Sequence, residues 1–387
     1  MRVVYISSSA VPSRTANSIQ VMKMCQALAQ KGYEVQLLAP KWRTQMDFRE
    51  TDLWHHYGIK TPFPIRWLPW PYGRYGSHLY AMLAVIYALF LRSSVVFTRH
   101  LPAAAIARFF RLPTVCELHQ LPEGQATSLY IRCFLHYRGL RKVVVISHAL
   151  KRDLIDTYPD LIEEDDIVVA HDGVDIERFK DVPDVSKARQ KLGLPPDHFT
   201  AGYVGHFYPG KGIELVVNLA RGFPRISFLI IGGEPNAVST LKQQLKQAKI
   251  PNVFLYGFIS NAELPIHLAA CDALLLPVQR IVEGSSGSNI ARWTSPMKLF
   301  EYMACGRLII ASDLPVLREV LNEENSLLCD PDDLNDWHQG LNKAMKDIVW
   351  RQALGQQARK DANRYAWTQR VDLCLQPVLQ NLPNLDV

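Results

Sequence analysis

Residues 1–39 read MRVVYISSSAVPSRTANSIQVMKMCQALAQKGYEVQLLA. Val3–Ser7 is a short run rich in β-branched residues, Gln20–Gln30 carries its apolar residues at helical spacing, and Glu34–Ala39 is a second apolar run. Strand, crossover helix and strand in that order make the βαβ unit of a parallel sheet. The loop from Ser7 to Ser18 holds no glycine and GxGxxG is absent from the chain, which argues against an NAD-binding Rossmann domain.

The same rhythm runs outward from this unit. Further strands are expected at Ser94–Thr98, Thr114–Leu118, Val143–Ile146 and Ile167–Ala170. A polar, proline-containing segment, Asp181 to Phe199, interrupts the pattern, which restarts at Thr200–Val204, Ser227–Ile231, Val253–Tyr256, Ala273–Leu276 and Leu308–Ala311, with helices such as Gly212–Ala220 and Ala237–Lys249 between. The expectation is α/β: two doubly wound, Rossmann-like domains facing each other across a cleft. The N-terminal domain takes residues 1–175 plus the C-terminal helix 367–387, and the C-terminal domain takes residues 176–366. Ligands of such sheets bind at the carboxyl ends of the strands, so chemistry is expected in the loops there.

Composition narrows the class. The chain has 387 residues, 48% hydrophobic and 21% charged, which fits a globular protein. Its seven cysteines form no CxxC pair, so neither a zinc site nor a disulfide framework is indicated, and a reducing cytoplasm fits. Met1–Ile6 runs straight into a strand without the apolar core of a leader. The longest apolar run, Leu79–Leu91, is 13 residues, too short to span a bilayer, and reads as a buried core helix. Residues 1–152 hold 20 Lys/Arg against 6 Asp/Glu, a balance of +14, whereas the remainder holds 23 against 31, or −8. The basic half also carries Trp42, Trp54, Phe63, Trp67, Trp70, Tyr72 and Tyr75, a mixture that suits an anionic membrane surface or an acidic acceptor. No recognised nucleic-acid module is present.

Three loops and one helix carry the candidate chemistry. In Ser295–Gly306, SPMKLFEYMACG, Ser295 is placed to cap, Pro296 suits the first helical position and Gly306 the left-handed stop. The amides of Met297 and Lys298 at the positive end of the dipole form an anion site, with Glu301 about 6 Å along the axis. A diphosphate and a ribose offer the matching pair, although a merely packed helix with Glu301 as a solvated charge fits the same letters. Gly205-His206-Phe207-Tyr208-Pro209-Gly210-Lys211-Gly212 follows a strand, its glycines admitting close ligand approach and Lys211 preceding a helix start. Phe258 reads equally as a core aromatic or as a ring stacked on a base. His119 stands at the carboxyl end of its strand, facing the expected cleft, and is the candidate catalytic side chain.

Together with Gly32-Tyr33-Glu34-Val35, Asp172-Gly173-Val174-Asp175, Phe179 and Cys271-Asp272-Ala273, these stretches resemble the retaining glycosyltransferases of family 4, of GT-B fold, over nearly the whole chain. The resemblance implies transfer of a sugar, with retention, from a nucleotide diphosphate donor to a polysaccharide, oligosaccharide or lipid-linked acceptor, with UDP-hexose favoured. The enzyme would be cytoplasmic, at most peripheral on the inner face of a membrane. By position, Lys211 would neutralise the diphosphate beside Gly205, helped by the backbone of Met297, Lys298 and Leu299 after Ser295 and Pro296. Glu301 would bind the ribose hydroxyls, the backbone at Phe258 and Ile259 would read the base, and His119 would meet the donor sugar. The C-terminal helix would pack back on the N-terminal domain. No metal or other cofactor is implied, and no carboxylate cluster suggesting one is visible.

The family pattern also departs here. Trp293 stands where a donor-sugar glutamate is usual, His206 where an arginine often follows the glycine, and Thr15-Ala16-Asn17-Ser18 replaces a glycine pair, leaving Asn17 and Ser18 as candidate acceptor or phosphate contacts. Alanine at Lys211 or Glu301 is expected to cripple transfer and leave the fold intact. Two other readings stay open: a nucleotide-sugar epimerase, and a donor-binding but inactive partner subunit.

Overall fold

A computed structural model describes the chain except residues 42–49, 72, 74, 138–139, 283–288 and 382–387, and the side chains of 50–52. Two compact units emerge, Met1–Asp172 with Trp367–Val387, and Gly173–Ala366.

The first unit is built on seven parallel strands: β1 (Arg2–Ile6), β2 (Glu34–Lys41), β3 (Ile65–Pro69), β4 (Val95–Thr98), β5 (Thr114–Leu118), β6 (Arg141–Val145) and β7 (Ile167–Val169), in the order β3-β2-β1-β4-β5-β6-β7. Strands covered on both faces by helices read as unbroken apolar runs, and Val3, Val4, Tyr5 and Ile6 of β1 are fully buried. The register sets Val3 opposite Val35 on one side and Val95 on the other, and the rings of Tyr5 and Phe97 stack at 5.1 Å. Thr15 caps the crossover helix Ala16–Gln30, its hydroxyl accepting from the Ser18 amide at 3.3 Å. The helix Trp367–Leu379 packs against that crossover helix and against β5 and β6, so the expected return of the C-terminal helix to the N-terminal sheet holds.

The second unit has six parallel strands: β8 (Thr200–Gly205), β9 (Ser227–Gly232), β10 (Val253–Gly257), β11 (Ala273–Leu276), β12 (Leu308–Ser312) and β13 (Leu327–Cys329), in the order β10-β9-β8-β11-β12-β13. Alternate residues feed two separate cores. Leu229, Ile231, Leu274 and Ile309 pack with the helix Met297–Cys305, and Phe228, Ile230, Leu275 and Ile310 pack with Leu219 and Trp337 on the opposite face.

Several expectations need correcting. The segment 181–199 is more than a polar connection. It forms the helix Val185–Leu192, capped by Asp184 and stopped at Gly193 in the left-handed region, and its buried Arg189 pairs with Asp272. Two strands, β3 and β13, were not anticipated. Both lie at sheet edges; β3 buries only Leu68 and shows no core-facing pattern, and β13 is only three residues long. The aromatic stretch around β3 turns partly inward: Phe63 is buried with Trp54 edge-on to it at 5.4 Å and Trp70 packs on Tyr80 at 5.1 Å, whereas Trp67 is exposed while its indole donates to the Val11 carbonyl at 2.8 Å. Tyr75 stays exposed, while Trp42 and Tyr72 lie outside the described residues. The run Leu79–Leu91 is not a buried core helix either. It falls in Gly76–Phe90, which buries one face and leaves the other bare.

Candidate functional site

In the second unit the strand order reverses between β8 and β11, and loops leaving such a pair form the usual ligand crevice of a doubly wound sheet. The two loops are tied together by the Gln279 amide donating to the Gly210 carbonyl at 2.9 Å. Gly212, at φ +79°, starts the helix Ile213–Gly222, and a Cβ there would lie 2.0 Å from the Pro277 carbonyl oxygen. Gly232 is similarly pressed against Gly205. These glycines therefore serve loop-to-loop packing.

Lys211 sits just before that helix, half-buried, its ammonium 5.8 Å from the centre of the Tyr208 ring, and burial pulls its pKa down. His206 stacks on Tyr208 at 5.0 Å. Burial lowers the His206 pKa; Glu234 opposes, while the charges of Lys211 and Lys298 add to the lowering. The loop after β8 and the helix bearing Lys298 thus share one electrostatic neighbourhood, the coincidence expected of two phosphate-directed elements. The helix itself is held beneath β8, the Val204 amide donating to the Tyr302 hydroxyl at 2.8 Å.

The helix spans Met297–Cys305 and stops at Gly306, φ +71°. Pro296, with extended backbone, is the capping position, so Ser295 lies one residue too early to cap and is buried instead. Leu299 is buried and the Met297 and Lys298 side chains are half-buried. Glu301 is no solvated charge. It is 5% exposed, accepts from Arg178 at 3.1 Å, from Lys298 at 2.7 Å and from the Asn261 amide at 3.4 Å. Burial alone would raise its pKa, but Lys298 and Arg178 prevail and bring it to about 2. Phe258 is 37% exposed in the loop after β10, so the core reading fails for it, and Ile259 packs on the core beside it. Trp293 is buried.

The Glu301 cluster changes an expectation. Alanine there would leave the guanidinium of Arg178 buried without its carboxylate, at a cost of about 3 kcal/mol, so the fold would not escape unharmed. Because the folded pKa lies below the usual 4.5, the stabilisation is complete above that pH and is lost as pH falls toward about 2. Urea unfolding between pH 5 and 2 is expected to show a larger loss of stability in the wild type than in Glu301→Gln.

In the first unit, His119 follows β5 and its Nε2 lies 2.5 Å from Glu117 Oε1. Glu117 is fully buried and also accepts from Gln20 at 2.7 Å and from Arg370 at 3.0 and 3.2 Å, while Arg99 donates to Gln20 at 2.9 Å. Burial pushes the Glu117 pKa up, but Arg370, His119 and Arg99 together hold it well below the carboxylate range. Burial and Arg99 lower the His119 pKa against the pull of Glu117. Near neutrality the imidazole is therefore neutral, its Nε2–H donates to Glu117, and Nδ1 carries the lone pair.

Asp172 completes a trio with Glu117 and His119 whose ligand atoms lie within 4.8 Å of one another, a carboxylate cluster the linear sequence conceals. Burial pushes the Asp172 pKa up against the opposing pull of His119 and Arg370, and Arg370 is itself buried and donates to the carbonyls of Ala170 and His171. Gln20, Asp172 and Arg370 were missed in sequence, although a charged residue on the apolar stripe of the helix Trp367–Leu379 was a usable signal. Of the first-loop candidates, Asn17 is exposed, but Ser18 is buried and bonded to Ser13, Thr15 and Tyr57, so its hydroxyl fastens the loop.

The two doubly wound parallel sheets are those of the GT-B fold. Its solved examples include Anabaena HepE in complex with UDP and glucose (TM-score 0.75, 19% identity, covering 98% of this chain and 100% of that one) and the sucrose-phosphate synthase of Thermosynechococcus elongatus (TM-score 0.75, 18% identity, covering 98% of each). Residues 18–178 match the model of Glycosyltransferase Family 4 and residues 184–361 that of Glycosyl transferases group 1; the chain belongs to this glycosyltransferase family. Among curated relatives, a D-inositol 3-phosphate glycosyltransferase of Kineococcus radiotolerans is 24% identical over 58% of this chain and 54% of its own length. A 2-deoxystreptamine glucosyltransferase of Streptomyces kanamyceticus is 30% identical over 29% and 30%. The match to the first of these thus spans only about half of that relative's length.

Proposed function

We propose that the protein is a retaining glycosyltransferase that moves a hexose from a UDP-sugar to a saccharide or lipid-linked acceptor at the cytoplasmic face of a membrane. The observation that carries this reading is the gathering of Lys211, Lys298 and Glu301 at the β8–β11 reversal. The bond from the anomeric carbon to the diphosphate breaks, a bond to the acceptor oxygen forms on the same face of the sugar, and the acceptor proton leaves with the phosphate. Stabilising departing charge is then the main task, met by Lys211, Lys298 and the first-turn amides without a metal. On the second unit Glu301 takes the ribose and the backbone at Phe258 and Ile259 the base; on the first, the Nδ1 lone pair of His119 is available to accept from a sugar hydroxyl. UDP is favoured because the HepE structures carry UDP and UDP-glucose.

A thermal-shift panel of nucleotide sugars tests the reading, since a ligand bound only by the folded state raises the melting temperature. UDP and one UDP-hexose are expected to do so, and NMR of the product should show the donor's anomeric configuration. Silence across the panel would refute the assignment. UDP binding with no transfer to any acceptor would instead identify an inactive donor-binding subunit, and an epimerised donor an epimerase.

A further inference from the structure

The helix Gly76–Phe90 is apolar all round yet only half covered. Tyr80, Ala81, Ala84, Val85 and Ala88 are fully buried against Val4, Ile6, Leu38 and Val96 of the first sheet. On the opposite face Leu79, Met82, Leu83, Ile86 and Phe90 are 48, 49, 41, 38 and 82% exposed. Their spacing makes one continuous stripe along the helix. The neighbouring helix Leu101–Phe109 ends in a second exposed pair, Phe109 and Phe110, with Phe109 edge-on to the exposed Tyr137 at 5.9 Å.

The surroundings of the stripe are cationic. Residues 53–116 contain seven Lys/Arg and no Asp or Glu, of which Arg108 is buried on backbone carbonyls and Arg99 donates to Gln20, so the exposed cations that matter here are three. Arg66 is exposed with its guanidinium 5.8 Å from the Tyr87 ring of the same helix, Arg92 is exposed just past the helix end, and Arg111 is exposed directly after Phe110. A second copy of the chain docking here through the same face would set the guanidinium groups of Arg66, Arg92 and Arg111 against one another, and residues 53–116 bring no carboxylate of their own to pair them. An anionic lipid surface supplies both what the apolar stripe and what the cations lack. The helix is 15 residues, about 22 Å, and among the described residues no helix is long and apolar enough to cross a bilayer.

We infer that this helix face is a membrane-docking surface that lies in the plane of an anionic bilayer, its apolar side chains among the acyl chains and Arg66, Arg92 and Arg111 at the headgroups. The inference locates the membrane contact of the proposed function on the first unit, but its test needs neither donor nor acceptor, so its failure would leave the transfer reading standing.

Flotation with phosphatidylcholine vesicles, with and without phosphatidylglycerol, decides it. The wild type is expected to float with the anionic vesicles and to be released as salt rises. Leu83→Gln/Ile86→Gln/Phe90→Ser should lower binding roughly tenfold or more with an unchanged melting temperature, because these side chains support no core. Arg66→Gln/Arg92→Gln/Arg111→Gln should weaken binding and flatten its salt dependence. No wild-type binding to anionic vesicles, equal binding by the apolar triple variant, or a wild-type dimer that this variant turns into monomer would each overturn the inference.

Discussion

Replacing Lys211 with alanine is expected to lower kcat/KM by roughly 10²–10³-fold, about 3 kcal/mol of lost stabilisation of the departing diphosphate. The melting temperature should hold or rise. Among the described residues the Lys211 ammonium makes no ion pair, and burial already works against its charge. Such a residue costs the folded state something and repays it only when an anion arrives. His206 cannot take over, because burial and the two nearby lysines keep its imidazole neutral near pH 7. Steady-state kinetics beside calorimetric UDP binding checks this: near-wild-type kcat/KM would remove Lys211 from the donor site.

The second large effect concerns the first unit. Arg370→Met should destabilise it by about 3–5 kcal/mol, since Glu117 would remain as a buried charge without its main cation. The pH dependence should invert. In the wild type the Glu117 pKa lies below the usual 4.5, so its stabilisation is present above that pH and disappears in acid. Without Arg370, burial raises the folded pKa above the unfolded one, and the variant should gain stability as pH falls from 7 toward 5. Glu117→Gln on the Arg370→Met background should recover most of the loss in denaturant unfolding, a coupling that a double-mutant cycle measures. If the second substitution restores nothing, Arg370 acts by packing alone.

These two predictions differ in how far sequence could reach them. Lys211 stands in a punctuated loop between a strand and a helix, and the helix at Met297–Cys305 is announced by Pro296 and Gly306. Local chemistry of this kind survives reading one residue at a time. The strands were legible for a related reason: a strand covered on both faces is apolar along its buried length, as β11 is throughout and β1 is from Val3 to Ile6. Edge strands such as β3 lose that signature. The Glu117 cluster passes the local test only at His119, because Gln20 and Arg370 lie 97 and 253 residues away from Glu117 in sequence and nothing near Glu117 names them. Arg178 is hidden from Glu301 in the same way, across 123 residues. That Glu301 reads as a possible solvated charge, and that its removal is expected to leave the fold intact, both trace to that distance. The sidedness of Gly76–Phe90 was hidden for the opposite reason. An all-apolar helix carries no polar face to mark which side is outside.

The ion pair between Glu117 and Arg370 also sets an order of events during synthesis. Glu117 leaves the ribosome 253 residues before Arg370. At roughly 5–20 residues per second, the nascent first sheet waits on the order of ten seconds or more for the cation that neutralises its interior. The whole of Gly173–Ala366 is made in that interval and can finish folding first. Until Arg370 is made, the N-terminal unit holds Glu117 at its centre without that cation.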